Sequence, residues 1–346
     1  MRESNRFRKM IWLVSVLILD ASGSPLHAAE TDRISVAIQC DPAKVVGSDT
    51  CTKCHENEMR VWHETPHFAT FDTLHRKPEA KAIADKLGLG SVKRNETCVK
   101  CHYTQQQVDT RVRVVSGVSC ESCHGAAKEW LELHADYGGP NLTKADETPE
   151  HRQQRVSKSV AAGMNNPANL YLIARQCLGC HTTPNEELVN TGGHNAGSRE
   201  FELVAWSQGM VRHNFLQTNG TSNAVAAQEE LRAMFVVGLM ADLEASLRAT
   251  AKATTKGLFG TTSAKRAATL KQKLYYVSQQ IENPDVEDAV QAALSVPLKL
   301  NRSQELEAAA ATVGKAARAF AETVDGSTLG AIDPLLPSPE QYRGKK

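Results

Sequence analysis

The chain has 346 residues, and its 40 Lys and Arg residues nearly balance 39 Asp and Glu residues, so the formal net charge is +1. A chain with this balance lacks the basic surface that nucleic acid requires, and we exclude a nucleic-acid role. Aromatic residues make up 5% of the sequence, which is little for a chain long enough to form roughly two domains. Something other than aromatic side chains must fill part of the core.

Residues 1–29 are typical of a secretory signal peptide. A basic start is followed by an apolar stretch over residues 10–19 and by the small-residue end Leu26-His27-Ala28-Ala29. The alternative, a retained membrane anchor, is disfavoured because about ten apolar residues fall short of the roughly 20 that span a bilayer. We expect cleavage near Ala29, a mature chain without a membrane span, and a periplasmic or exported location. Because this segment holds four basic and two acidic residues, the rest of the chain has a net charge near −1.

Four copies of the pattern Cys-x-x-Cys-His follow, and together they use eight of the nine cysteines. Such a pattern is typical of covalent haem attachment, in which both cysteines form thioethers and the adjoining histidine ligates the iron. Zinc, disulfide and thiol redox sites also use Cys-x-x-Cys, but they do not need a histidine at the same offset every time. We therefore predict four covalently bound haem c groups, on Cys51, Cys54 and His55; Cys98, Cys101 and His102; Cys120, Cys123 and His124; and Cys177, Cys180 and His181.

The ninth cysteine, Cys40, lies some twenty residues beyond the apolar stretch, and the residues before it match a lipid-attachment signal poorly. Two interpretations are open, a free thiol and an intermolecular link.

The predicted haem motifs set the boundary of a first domain, residues 30–218. Every cysteine of the motifs, and every histidine beyond the signal peptide, lies between Cys51 and His213. Gly and Pro interrupt this region so often that only short helices fit between them. We predict a mainly α fold here, a multihaem cytochrome c region of short helices and long loops whose core is filled largely by porphyrins.

A second region, residues 219–326, has the pattern of long helices. Leu231, Phe235, Leu239, Leu243 and Leu247 recur every four residues and predict one apolar stripe along a helix. Further apolar repeats, and Asn283 capping a helix that starts at Pro284, predict an antiparallel α-helical bundle. We expect this bundle to carry no cofactor and to mediate assembly into an oligomer or docking. The proline-rich residues 327–346 are predicted to form a flexible tail.

Seven histidines beyond the signal peptide lie outside the motifs: His63, His67, His75, His134, His151, His194 and His213. A single histidine is more often a surface or hydrogen-bonding residue than a ligand. Here each predicted iron has a second axial position, which a second histidine would occupy at low reduction potential and a methionine at higher potential. Met59, Met164 and Met210 are the alternative ligands.

The motifs and their surroundings resemble the tetrahaem cytochrome c-554 family, associated with nitrogen-cycle electron transfer in ammonia oxidisers. The resemblance covers roughly residues 46–181 and extends loosely to about residue 215. It rests on the four motifs together with Trp62, Thr65-Pro-His67, Gly117 and His134. It implies that distal ligands come from distant segments, with His67 serving His181, His134 serving His55, and His213 serving His124. The resemblance assigns no distal ligand to the haem on His102, so this iron is expected to have a vacant axial position.

We therefore expect an electron carrier whose partners are redox proteins, with no catalytic residues of its own. The alternative is a multihaem enzyme or gas-binding protein that acts on nitric oxide, hydroxylamine or nitrite at an open second haem. An open iron is not sufficient for this, because a catalytic pocket also needs donors and acid–base groups, and no pattern in the sequence marks them. A third interpretation makes the protein a subunit of a larger complex, assembled through the bundle.

Overall fold

A computed structural model describes residues 40–344, so the predicted signal peptide lies outside the described residues. The regular structure of the described part is mainly helical, as predicted. Its first region contains eleven helices, all of them 13 residues or shorter. These are α1 Ser48–Thr52, α2 Glu56–His63, α3 Pro66–Thr73, α4 Pro78–Lys86, α5 Glu96–His102, α6 Cys120–His124, α7 Leu131–Ala135, α8 Pro149–Ala161, α9 Leu170–His181, α10 Glu186–Asn190 and α11 Leu203–Ser207.

Local capping sequences determine where several of these short helices begin. Thr65 caps α3 by accepting a hydrogen bond from the backbone N–H of Phe68 at 3.3 Å, with Pro66 at the first helical position. Asn169 caps α9 through the N–H of Leu172 at 3.1 Å. Such caps satisfy N–H groups that have no partner within the helix. Helices of this length still depend on tertiary packing, because isolated short helices are marginal in water.

A β-hairpin in this region was not predicted. Its antiparallel strands are β1 Thr104–Val108 and β2 Arg111–Ser116, with Asp109 at a positive φ of 55° in the turn. Alternating Val112 and Val114 were the available sequence signal. The hairpin lies between the second and third motifs in the sequence. The Thr104 hydroxyl donates to the backbone oxygen of Gly117 at 2.8 Å, which holds the two ends of the hairpin together.

The long helices of the second region are α12 Gln228–Lys252, α13 Leu258–Ser278, α14 Pro284–Ser295 and α15 Ser303–Thr323. Asn283 caps α14 as predicted, accepting from the N–H groups of Asp285 and Val286. The predicted single stripe on α12 is wrong, because this helix is buried on nearly all sides between Leu231 and Ala251. It packs against α9, α13, α15 and the segment after α15, so it is the centre of the bundle and contacts the motif-bearing region directly.

The end of the described chain differs from the predicted flexible tail. Gly326–Leu335 forms a 3-10 segment in which Leu329 and Ile332 are buried. Asp333 pairs with Arg232 of α12 at 2.7 Å, and the backbone N–H of Arg343 donates to Ala205 of α11 at 2.8 Å. The prolines suggested a loose chain, but the apolar side chains of Leu329 and Ile332, which precede them, are buried in a segment that packs against α12.

None of the helices within residues 40–344 combines the length and the apolar character that crossing a bilayer demands.

We predict that Leu247→Ala lowers the free energy of unfolding by about 2–5 kcal/mol, because it leaves a cavity in a close-packed core. Leu247 is fully buried in α12, whereas Leu294 of α14 is 56% exposed. Leu294→Ala is the matched control and should change stability by no more than about 0.5 kcal/mol. Denaturant unfolding of both variants measures the difference; equal effects would contradict the central position of α12.

Candidate haem-binding site

Each Cys-x-x-Cys-His motif lies on a helix or at a helix end. The second motif closes α5, the third forms α6, the fourth closes α9, and the first joins α1 to α2. Residues three positions apart in a helix lie on the same face. Helical geometry therefore turns the two thiols of a motif to one side.

The four motifs lie next to one another, although their sequence positions differ by more than a hundred residues. The thiols of Cys51 and Cys120 lie close enough to shift each other's pKa, which places the first motif beside the third. The thiols of Cys101 and Cys180 are likewise close enough to shift each other's pKa, which places the second motif beside the fourth. The third and fourth motifs also lie close together, because Nε2 of Gln176, next to Cys177, donates to the backbone oxygen of Ser122 in the third motif. The motifs thus form a continuous series in the order first, third, fourth, second.

Opposite each motif histidine lies a second imidazole ring from a distant part of the chain. His55 faces His134 with ring centroids 6.3 Å apart, and His67 faces His181 at 6.3 Å. His124 faces His213 at 6.1 Å, and His102 faces His194 at 6.2 Å. The structure therefore brings together the three pairs that the family resemblance implied, and it adds a fourth pair that the sequence did not.

These separations fit a metal ion held between two imidazoles. Imidazole nitrogen bonds a metal at about 2 Å, so two ligands on opposite sides, with ring centres about 1 Å behind the bonding atoms, have centroids about 6 Å apart. Rings in direct van der Waals stacking would be closer. All four pairs leave a gap of this size beside a Cys-x-x-Cys sequence, which is the donor set of haem c.

Hydrogen bonds orient most of the paired rings. The Nδ1 atoms of His124, His134, His181, His194 and His213 each contact an oxygen of the protein: Asn165 O at 3.2 Å, Leu131 O, Ser198 Oγ at 2.9 Å, Asn195 O at 2.9 Å and Val211 O at 2.7 Å. A ligating histidine usually donates its second ring N–H in this way, which fixes the tautomer. The arrangement leaves Nε2 of these rings available to a metal.

The buried rings are also held in the neutral form that can ligate. Burial, with a smaller contribution from neighbouring imidazoles, lowers the pKa of His102, His124 and His181 to about 4. Burial likewise lowers the pKa of His67 and His134. At neutral pH these imidazoles therefore carry a free lone pair.

Several supporting residues had no signal in the sequence. Ser198, whose hydroxyl contacts His181, also accepts a hydrogen bond on its backbone oxygen from Arg266 of α13 at 2.8 Å. Arg266 in turn forms a buried two-bond ion pair with Asp242 of α12, at 2.7 and 2.8 Å. Burial raises the pKa of Asp242, and Arg266 opposes this shift. The bundle therefore contacts Ser198, the residue whose hydroxyl orients the ring of His181.

The variable residue Glu121 of the third motif is a structural acceptor. Its carboxylate is buried and accepts hydrogen bonds from the backbone N–H groups of Val46, Gly47 and Ala127 at 2.8–3.0 Å. The Cys40 thiol donates to the backbone oxygen of Glu121 at 2.7 Å, and burial raises its pKa to about 12. This hydrogen bond places Cys40 beside the third motif.

An ion pair between Arg155 and Glu147 supports the backbone of His134. Arg155 of α8 donates to the backbone oxygen of His134 at 2.8 Å and makes two hydrogen bonds of 2.7 Å to Glu147. His151, one of the spare histidines, also contacts Glu147 through Nδ1 at 2.8 Å. It therefore serves this ion pair, and the side chain of Glu147 is only 1% exposed.

A helical fold built around Cys-x-x-Cys-His motifs, each facing an opposed histidine, defines a c-type cytochrome, and this class binds haem c covalently. Comparison with known proteins agrees: residues 50–125 match the family described as cytochrome c554 and c-prime. The matched segment contains the first three of the four Cys-x-x-Cys-His motifs.

One relative is cytochrome c-554 of Nitrosomonas europaea, 27% identical over 114 residues. This match spans 30% of the present chain and 47% of the relative, less than half of its length. No solved structure gives a significant match.

We predict that Glu147→Gln destabilises the protein by about 1–3 kcal/mol near neutral pH, because buried Arg155 loses its charged acceptor. Hydrogen bonds from Arg155 lower the pKa of Glu147 from 4.5 to about 2. The carboxylate therefore contributes its full stability above its ordinary pKa, and this contribution is lost as the pH falls toward about 2.

Denaturant unfolding across this range should show the gap between wild type and variant shrinking as the pH falls. Glu150→Gln, on an exposed residue in the first turn of α8, is the control and should have little effect. A gap that stays constant with pH would contradict the role of the Glu147 charge.

Proposed function

We propose that this protein is a tetrahaem c-type cytochrome that carries single electrons between redox protein partners. The observation that supports this most directly is the set of four opposed histidine pairs, with centroids 6.1–6.3 Å apart, each beside one Cys-x-x-Cys sequence. Haem iron supplies one-electron chemistry when bound, and the protein contributes ligand identity, burial and spacing.

The attachment residues are the eight motif cysteines, and His55, His102, His124 and His181 are the proximal ligands. The distal ligands are His134 for the first motif, His213 for the third and His67 for the fourth. Two imidazoles per iron favour a low reduction potential and stability in both oxidation states. That property suits a carrier, which must change its charge without changing its ligands.

The series of adjacent motifs supports passage of electrons through the protein. Cys51 lies near Cys120, and Cys101 lies near Cys180, so neighbouring cofactors would be attached at nearby sulfur atoms. Electrons entering at one end of the series can then leave at the other. Redox proteins are the partners such a carrier requires.

We place this function in the periplasm or outside the cell. Covalent haem attachment of this kind takes place outside the bacterial cytoplasm, and the sequence pattern of residues 1–29 is that of a secretory signal. Both arguments are independent of the histidine geometry.

To test the proposal, the number of haems is measured by intact-protein mass spectrometry and the number of one-electron steps by anaerobic potentiometric titration. We expect four attached haems and four one-electron steps, three of them at the low potential of an iron held by two imidazoles. His67→Met, His134→Met and His213→Met should each raise the potential of one haem, since a methionine ligand favours the reduced iron. The exposed His63 provides the control, and His63→Ala should leave all four steps unchanged. If all three methionine variants retain the parental potentials and spectra, the ligand assignment is wrong.

The ring planes predict different electron paramagnetic resonance signals. The rings of His124 and His213 are nearly perpendicular, at 87°, whereas those of His55 and His134 lie at 23°. Perpendicular imidazole planes leave two iron d orbitals nearly degenerate and give one low-spin feature at high g, while near-parallel planes give a three-line signal. His213→Met should abolish the former and His134→Met the latter. Two identical signals from the parent protein would contradict this geometry.

A further inference from the structure

We propose that His194 is the distal ligand of the iron on His102, so that the second haem is closed, and that the C-terminal bundle holds His194 in place. This inference rests on the tetrahaem function proposed above. It differs from the open second site that the resemblance implied, and it concerns a residue to which the resemblance assigned no role.

The geometry of the His102–His194 pair is the same as that of an assigned pair. Its ring centroids are 6.2 Å apart at an interplanar angle of 51°, compared with 6.3 Å and 51° for His67 and His181. Nδ1 of His194 contacts the backbone oxygen of Asn195 at 2.9 Å. Nε2 is therefore the atom left to face the iron.

The loop that carries His194 is anchored on its N-terminal side. The backbone N–H of His194 donates to Leu188 O at 3.1 Å, which folds the loop back on α10. At Gly192 a Cβ atom would lie 2.6 Å from Leu188 O and 3.0 Å from Leu87. The loop therefore packs tightly against the segment after α4, and residue 193 has a positive φ of 79° that glycine provides without strain.

The bundle holds α10, the helix that precedes this loop. Glu186 of α10 accepts hydrogen bonds from both the backbone N–H and the hydroxyl of Thr254 and of Thr255, at 2.8–3.2 Å. Asn190 accepts from the backbone N–H of Phe259 at 2.9 Å. These three partners lie at and after the end of α12 and at the start of α13, so the α12–α13 connection holds α10.

Apolar contacts reinforce the same attachment. Val189 is buried in a cluster with Ala249, Ala253 and Phe259 of the bundle, and Ala196 packs against that cluster. Val189 and Ala196 lie on either side of His194 in the sequence. Because both flanks are fixed to the bundle, the imidazole between them has little freedom to leave His102.

Of the other spare histidines, His151 is less suited to this position because its Nδ1 contacts Glu147 at 2.8 Å.

A closed second iron would exclude small ligands such as carbon monoxide and nitric oxide, and it would remove the vacant position that a gas-binding or nitrogen-compound enzyme needs. The bundle would then act as a support for a haem ligand, in place of the assembly role expected from its sequence.

The deciding measurement uses the wild-type protein with its haem count established by mass spectrometry. If His194 closes the site, spectra of the oxidised and reduced protein should contain low-spin haem alone, and added carbon monoxide should not bind. One high-spin haem in four that binds carbon monoxide would overturn the inference while leaving the tetrahaem function intact. Fewer than four haems would instead overturn the proposed function.

Variants then assign the ligand. His194→Ala should convert one haem in four to a high-spin form that binds one equivalent of carbon monoxide, and His194→Met should keep it six-coordinate at a raised potential. His75→Ala is the control and should behave as wild type. If carbon monoxide stays excluded in His194→Ala, a different residue closes the site and the assignment is wrong.

The role of the bundle is tested with Glu186→Ala combined with Asn190→Ala, which removes the hydrogen bonds to the α12–α13 connection. We expect partial carbon monoxide binding at the second haem, increasing with temperature, while the other three haems remain low-spin. Glu187→Ala, on an exposed neighbour in α10, is the matched control. Carbon monoxide binding that is equally absent from the double variant and the control would overturn the support by the bundle.

Discussion

The structure depends on one constraint: two imidazole rings face each other with their centroids about 6 Å apart. This is the separation expected when one metal ion is bound between two histidines. It is met four times, and each time the two rings come from segments that are far apart in the sequence. A pairing of this kind acts as a cross-link between short helices. The first region has few large apolar side chains to bury. Ligand pairs and attached cofactors would therefore supply part of the stabilisation that a hydrophobic core gives in other proteins.

The bundle satisfies a second requirement, because histidines on short helices and loops need rigid neighbours. The buried pair of Asp242 and Arg266 spans α12 and α13, and Arg266 continues to the backbone of Ser198, which contacts His181. A buried ion pair gains little net stability over apolar packing, but removing one partner is costly. Its value here is positional, since it directs a guanidinium toward the loop that orients a motif histidine.

Burial and charge act together on the rings. Burial lowers the pKa of His102, His124 and His181 to about 4 and so keeps their lone pairs available at neutral pH. On the opposite side of the first pair, the charge of Glu147 holds Arg155 against the backbone of His134. The protein thus controls both the protonation of its candidate ligands and their direction.

Much of this could be read from the sequence, for reasons that differ between features. Cys-x-x-Cys-His is a contiguous pattern that carries its own chemistry, so four haem attachment sequences could be predicted without a structure. The long helices followed from apolar periodicity. The hairpin 104–116 was not predicted because only Val112 and Val114 indicated a strand. The packing of residues 326–344 was not predicted because their prolines are typical of a flexible tail, and the burial of Leu329 and Ile332 leaves no local pattern in the sequence.

What the sequence by itself determined is the class of site: cysteines and histidines at a fixed local spacing, in a chain of short helices followed by long ones. The family resemblance implied three of the facing histidine pairs, and what only the tertiary structure decided is the fourth, in which His194 faces His102. His194 lies far from His102 in the chain and has no local pattern around it, and α10 reaches its position through Thr254, Thr255 and Phe259 of the bundle. The physical reason is that attachment chemistry acts between neighbours in sequence, whereas a second ligand is chosen by packing between neighbours in space.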